Sequence, residues 1–327
     1  MNHPSAAVLL TSATTLTVSL ALFGQEYPRA GIANGSLQAE LYLPDVRNGY
    51  YRATRFDWSG VISSLKFKGH EYFGVWFPKH DPLLHDAITG PVEAFETSGA
   101  GLGYDEAKPG GNFVRIGVGL LEKPEEPAYR YTHTYKMVDP GKWRVRKGKD
   151  WIEFAQELPD KIGYGYLYTK RIRLTPGKPE MVLSHTLQNT GSKVIESTPY
   201  DHNFFVIDGQ PSGPGFVLRF PFEPRTAANL RGLVELRGHE LRFLKEFQED
   251  ESIFVNLEGY RPAVQHHEIV VENRTTGAGV RITADKPLAR LGFWTRRETV
   301  CPEPYIRLRI EPGQTEKWET HYLFYII

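Results

Sequence analysis

The stretch Glu180–Gly209, EMVLSHTLQNTGSKVIESTPYDHNFFVIDG, decides the fold. In its first half Met181, Leu183, His185 and Leu187 occupy alternate positions, which puts them on one face of a β-strand because successive strand side chains point to opposite sides. Asn189-Thr-Gly-Ser supplies turn chemistry, and Val194–Tyr200 reads as a returning strand, so the two are expected to pair as a hairpin. His202 follows just past the strand end, in Tyr200-Asp-His-Asn-Phe-Phe. Its neighbours pull its titration in opposite directions, Asp201 toward the charged form and the aromatics toward the neutral one. An imidazole so placed suits a proton donor near neutral pH, and equally a histidine that hydrogen-bonds a loop backbone. His185, on an apolar face, reads as a satisfied core histidine.

Working outward, the chain repeats this grammar of strand, turn, strand. Candidate strands are Ser36–Leu43, Val61–Lys68, Phe113–Leu121, Tyr129–Val138, Trp151–Glu157, Tyr164–Leu174 and Glu316–Ile327. Turn signals such as Asp139-Pro-Gly and Glu311-Pro-Gly separate them, and 31 Gly and 23 Pro supply the punctuation that many short strands need. Residues 77–112 are rich in Pro, Gly and Asp without a period, which predicts a long excursion of the kind that often carries function. Helix is expected to be minor, with Thr226–Leu236 its best candidate. No internal repeat or low-complexity linker is present, so residues 25–327 are expected to form one all-β domain.

Composition bounds the partners. The 327 residues carry 39 basic and 39 acidic side chains, so no net field recruits nucleic acid or an anionic membrane surface. Cys301 is the one cysteine, which excludes an internal disulfide and any Cys-based zinc spacing; by itself it reads as a small buried apolar residue. Residues 1–24 contain the uncharged run Ala6–Phe23, which fits a secretory signal better than a membrane anchor and implies a periplasmic or secreted protein; the other readings are a cytoplasmic start or a buried strand. His80-Asp81 and His85-Asp86 have a spacing that metals use but no third ligand nearby, and His266-His267 would face opposite ways on a strand, so no metal site is expected.

Glu303 lies between Pro302 and Pro304, which lack backbone donors and favour extended geometry, so the segment holds the carboxylate in one direction. Rigid placement suits a catalytic base, and equally a solvated carboxylate at a strand start. Arg52 and Arg55 lie three apart in an aromatic-rich segment, where a guanidinium could bond sugar hydroxyls, a uronate or a phosphate, or simply decorate the surface. In Tyr164-Gly-Tyr166-Leu-Tyr168-Thr-Lys170 the tyrosines and the lysine share one face, which makes either a platform for a sugar ring or a packed aromatic ladder.

His202-Asn-Phe-Phe-Val-Ile-Asp-Gly209 resembles the His-x-Tyr-Phe-Asn-Leu-x-Gly signature of aldose 1-epimerases, and Val300-Cys-Pro-Glu-Pro304 resembles the Cys-x-Glu-Pro strand of hexose-6-phosphate mutarotases. Arg52-Ala-Thr-Arg-Phe-Asp-Trp-Ser-Gly-Val-Ile-Ser-Ser-Leu65 is similar to the early strand pair of the same superfamily, so the likeness spans about residues 36–327. The resemblance implies a galactose-mutarotase-like β-supersandwich of large twisted antiparallel sheets, with a concave cleft for a small carbohydrate. It also implies a general acid and a general base, which map onto His202 and Glu303, and it implies no cofactor. A second histidine belongs to the family pattern; His133 is the first candidate for it and His85 the next. The signature tyrosine is replaced here by Asn203-Phe-Phe. The expected activity is interconversion of sugar anomers by ring opening, with Arg55, His133, Tyr166 and Lys170 as substrate contacts. The alternatives are a lyase or isomerase on a modified or linked sugar, and a noncatalytic carbohydrate-binding protein.

Overall fold

A computed structural model describes residues 26–327; the apolar run read as a secretory signal lies outside them. The described chain is built almost wholly of antiparallel strands, and none of its helices is long and apolar enough to cross a membrane.

Two sheets organise the site. The larger has ten strands, with Tyr166–Leu174, Glu180–Asn189, Thr315–Ile326 and Ala278–Ala284 side by side at its centre. Alternation shows directly in burial: along Trp151–Leu158 every second side chain is buried and the others are half-exposed. The second sheet runs Ser252–Leu257, Arg290–Arg296, Thr299–Tyr305, Ile195–His202, Leu308–Ile310, and Val92–Glu96 also pairs with Ile195–His202. One core cluster unites Ile172, Met181, Leu183 and Phe324 of the first sheet with Val255, Leu291, Phe293 and Val300 of the second, so the sheets pack face to face as a sandwich.

Thr299–Tyr305 is buried at every position, which means that both of its faces are covered. It pairs along its whole length with Arg290–Arg296, but with Ile195–His202 only through Tyr200 and Tyr305. Prolines without an N–H are tolerated where a ladder is open on one side. The gap is closed by a side chain instead: Asn203 Nδ2 donates to the Pro302 carbonyl at 2.7 Å, and Asn203 Oδ1 accepts from the Tyr322 hydroxyl at 2.9 Å.

Several sequence expectations change. Glu180–Asn189 and Ile195–His202 do not form a hairpin; the first stays in the large sheet while the second crosses to the other. Asn189 anchors the crossing, its side-chain amide donating to the carbonyls of Lys193 and Ile310, both at 2.8 Å. Thr226–Leu236 is not a helix: Arg231 and Gly232 have φ of 54° and 64°, which no right-handed helix accommodates, and Val234–Arg237 becomes an edge strand. Phe113–Leu121 is split by a turn at Gly117, whose φ is 78°, into Asn112–Arg115 and Gly119–Glu122. Of Tyr129–Val138, only the end joins a strand, Lys136–Asp139. The excursion 77–112 contains the buried strand Val92–Glu96, which carries Glu93 into the interior.

Candidate active site

A cavity of about 490 Å³ opens beside the second sheet, within the size range of small-molecule sites. Its floor comes from the adjoining strands that carry His202, Trp294 and Glu303, and its walls from the segments bearing Arg55, His85 and Tyr131. His202, the last residue of Ile195–His202, and Glu303, the fifth of the seven residues of Thr299–Tyr305, meet here.

His202 Nε2 is 3.2 Å from Glu303 Oε1, and Nδ1 is 2.6 Å from Cys301 Sγ. The ring stacks on Phe204 at 3.8 Å between centroids and meets the edges of Phe56 and Trp294. Phe204 has a φ of 40°, a left-handed turn rare for an aromatic residue, and this places its ring over the imidazole. Burial, reinforced by the Arg55 charge, holds the His202 pKa well below its ordinary value. Asp201 does not oppose this, because strand alternation sends it to the opposite face, where it accepts from Thr320 Oγ1 at 3.2 Å. The expectation that Asp201 tunes His202 toward the charged form is therefore corrected.

Glu303 is pushed up to about 7 by burial, against the pull of Arg55 and Arg290 and a 3.4 Å hydrogen bond from the Tyr305 hydroxyl. Its cross-strand partner is Gly292, where a Cβ would stand 3.1 Å from Glu303 Oε2; the glycine leaves room for the carboxylate. A carboxyl that titrates near neutrality beside a neutral imidazole is a pair suited to proton transfer.

Arg55 lines the cavity. Its guanidinium lies between the rings of Phe56 and Tyr131, 4.5 and 4.6 Å from their centroids, and donates to the Tyr200 hydroxyl at 3.3 Å. The Arg55 Nε is buried without a partner.

Three other expected contacts lie elsewhere. Tyr166 is fully buried and donates to Gln156 Oε1 at 2.6 Å. Lys170, also fully buried, is ion-paired to Glu93, which binds His185 Nε2 at 2.9 Å on its other oxygen. Burial alone would push Glu93 up, but Lys170 and His185 more than reverse it and hold it below the usual carboxylate range. The tyrosine face is thus a core ladder, because it turns toward the opposite sheet. His133 stands at the rim of Tyr135 and outside the cavity lining, whereas His85 lines the cavity against Tyr131. Tyr131, Arg290 and Trp294 also line the cavity, and no local sequence pattern marks them.

His202, Cys301 and Glu303 offer ligand atoms within 4.8 Å of one another. The arrangement does not suit an ion: sulfur and carboxylate sit at different ring nitrogens, and 2.6 Å between Sγ and Nδ1 leaves no space for a metal with bonds of about 2.0–2.3 Å to each.

No protein-family model matches the chain, and no curated protein matches it in sequence. Structures do. A galactose mutarotase-like protein from Clostridium acetobutylicum aligns with a TM-score of 0.57 at 13% identity, over 91% of this chain and 95% of that one. An aldose epimerase homologue from C. elegans gives 0.57 at 13% identity, over 93% and 100%. A galactose mutarotase-like protein from Lactobacillus casei gives 0.54 at 13%, over 91% and 100%. At these identities the likeness is one of architecture, and by architecture this chain has the galactose mutarotase-like fold.

Proposed function

We propose that the cavity takes the reducing end of a sugar and interconverts its anomers. The observation that carries this reading is the 3.2 Å contact between His202 Nε2 and Glu303 Oε1 on the floor of an aromatic-walled cavity. Glu303, ionised, removes the proton from the anomeric hydroxyl as the bond from C1 to the ring oxygen breaks. His202 donates a hydrogen bond from Nε2–H to that ring oxygen, where negative charge develops. Its depressed pKa favours a neutral imidazole in this role rather than an imidazolium acid, a use of neutral histidine with precedent in enzymes that polarise carbonyls. The new Glu303 carboxyl, next to Nε2, then passes its proton to the ring oxygen. The C1–C2 bond of the open aldehyde rotates, and closure by the same steps in reverse gives the other anomer with both residues restored. Trp76, Trp294 and Tyr131 supply apolar faces for the sugar ring, and Arg55 its donors.

Polarimetry or NMR of freshly dissolved α-anomers of several sugars tests the reading, with wild type beside Glu303→Gln and His202→Ala. Catalysed equilibration by wild type, abolished in both variants, supports it. Equal, uncatalysed rates in all three refute it, and binding without turnover assigns the cavity to a carbohydrate-binding protein.

A further inference from the structure

Cys301 precedes Glu303 by two residues and so shares its strand face. Its sulfur accepts the backbone N–H of Phe204 at 3.3 Å and lies 2.6 Å from His202 Nδ1. The imidazole therefore has a partner at each nitrogen, the thiol at Nδ1 and Glu303 at Nε2. We propose that Cys301 is a positioning residue, whose S–H donates to His202 Nδ1 and thereby holds the imidazole in the tautomer that carries its proton on Nε2, beside Glu303.

Proton counting supports this direction. Burial, with the nearby Glu303 charge, keeps Cys301 a thiol, so the sulfur has one proton to place. Phe204 already donates to the sulfur, and among the described residues Nδ1 is the acceptor within reach. A proton on Nδ1 instead would remove that acceptor and leave the S–H of the fully buried Cys301 without one. With Nδ1 bare, Nε2 must carry the proton of the neutral ring, and Nε2–H is the donor that the anomer reaction uses. The cysteine thus acts through the histidine without touching the sugar; this role rests on the proposed function, while the tautomer itself can be observed without any turnover.

The test uses full-length protein labelled with ¹⁵N-histidine, read by long-range ¹H–¹⁵N NMR at pH 8. The expected wild-type spectrum shows His202 protonated at Nε2 and bare at Nδ1; a protonated Nδ1 overturns the proposal. In Glu303→Ala, where the thiol is the remaining partner, Nε2–H persists, and adding Cys301→Ala admits an Nδ1–H population; its absence from the double variant also overturns the proposal. In kinetics, Cys301→Ser keeps a donor and retains kcat within about threefold, whereas Cys301→Ala lowers kcat by at least about tenfold with KM unchanged, as loss of a tautomer-setting partner does elsewhere. Equal kcat in the two variants overturns it, since a packing role would treat these two small residues alike. An inactive wild type with the Nε2–H tautomer refutes anomer interconversion but upholds the thiol's hold on the ring, so the two readings fail separately.

Discussion

Replacing Glu303 by glutamine preserves the side-chain shape while removing both the base and a buried charge, and the two losses have opposite effects. Activity falls, because proton transfer by one positioned group is worth ~10²- to 10⁴-fold, or about 3–5 kcal/mol of transition-state stabilisation. Stability rises, but only where wild-type Glu303 is ionised. Its pKa moves from 4.5 to about 7 on folding, which at about 1.4 kcal/mol per factor of ten amounts to about 3 kcal/mol. Because the folded pKa is the higher one, the native state holds its proton more tightly. That contribution is complete below pH ~4.5 and lost as pH rises to ~7. Glutamine has nothing to lose over this window. Denaturation at pH 4 and pH 8 is therefore expected to show Glu303→Gln gaining about 3 kcal/mol on wild type between the two. In the same samples wild-type kcat/KM rises about tenfold from pH 6 to pH 8, following ionisation of a base with a pKa near 7. Undiminished anomer equilibration in the variant, or an equal stability difference at both pH values, would refute the reasoning.

Arg55→Met removes a charge that holds Glu303 down and His202 down, so the acid limb of kcat/KM moves to higher pH; a shift to lower pH contradicts the assignment. Glu93→Gln leaves Lys170 and His185 buried without their anion and is expected to cost about 3–5 kcal/mol by urea denaturation, a loss below ~1 kcal/mol arguing against the buried ion pair. Tyr166→Phe removes a buried hydrogen bond to Gln156, so stability drops by about 1 kcal/mol while KM for any sugar stays unchanged; a raised KM would return Tyr166 to the binding site.

Period-two alternation was sufficient for an all-β chain, because it depends only on the geometry of single strands, and strands such as Glu180–Asn189 and Tyr166–Leu174 differ from their expected limits by one or two residues. Alternation also grouped Tyr166, Tyr168 and Lys170 correctly on one face. It could not say what that face meets, since burial against the opposite sheet and exposure to a cavity follow the same period. The same limit separates His133 from His85: both lie in irregular segments, and only the path of the chain around Tyr131 brings one to the cavity. Val92–Glu96 escaped notice because its five residues sit within a stretch dominated by turn chemistry, and its pairing partner lies about a hundred residues away.

The sequence by itself determined the strand-rich fold, because alternation is a local pattern; it singled out His202 and Glu303 only through their resemblance to family signatures, since a histidine among aromatics and a glutamate between prolines fit structural roles equally well. Tertiary structure alone decided their chemistry. Crossing of Ile195–His202 to the second sheet brings His202, Cys301 and Glu303 into contact, and burial lowers the histidine while raising the glutamate, Arg55 reinforcing the first shift and opposing the second. Desolvation and charge act through space, so residues about a hundred or more positions apart set each other's protonation, and no local stretch of chain contains that information.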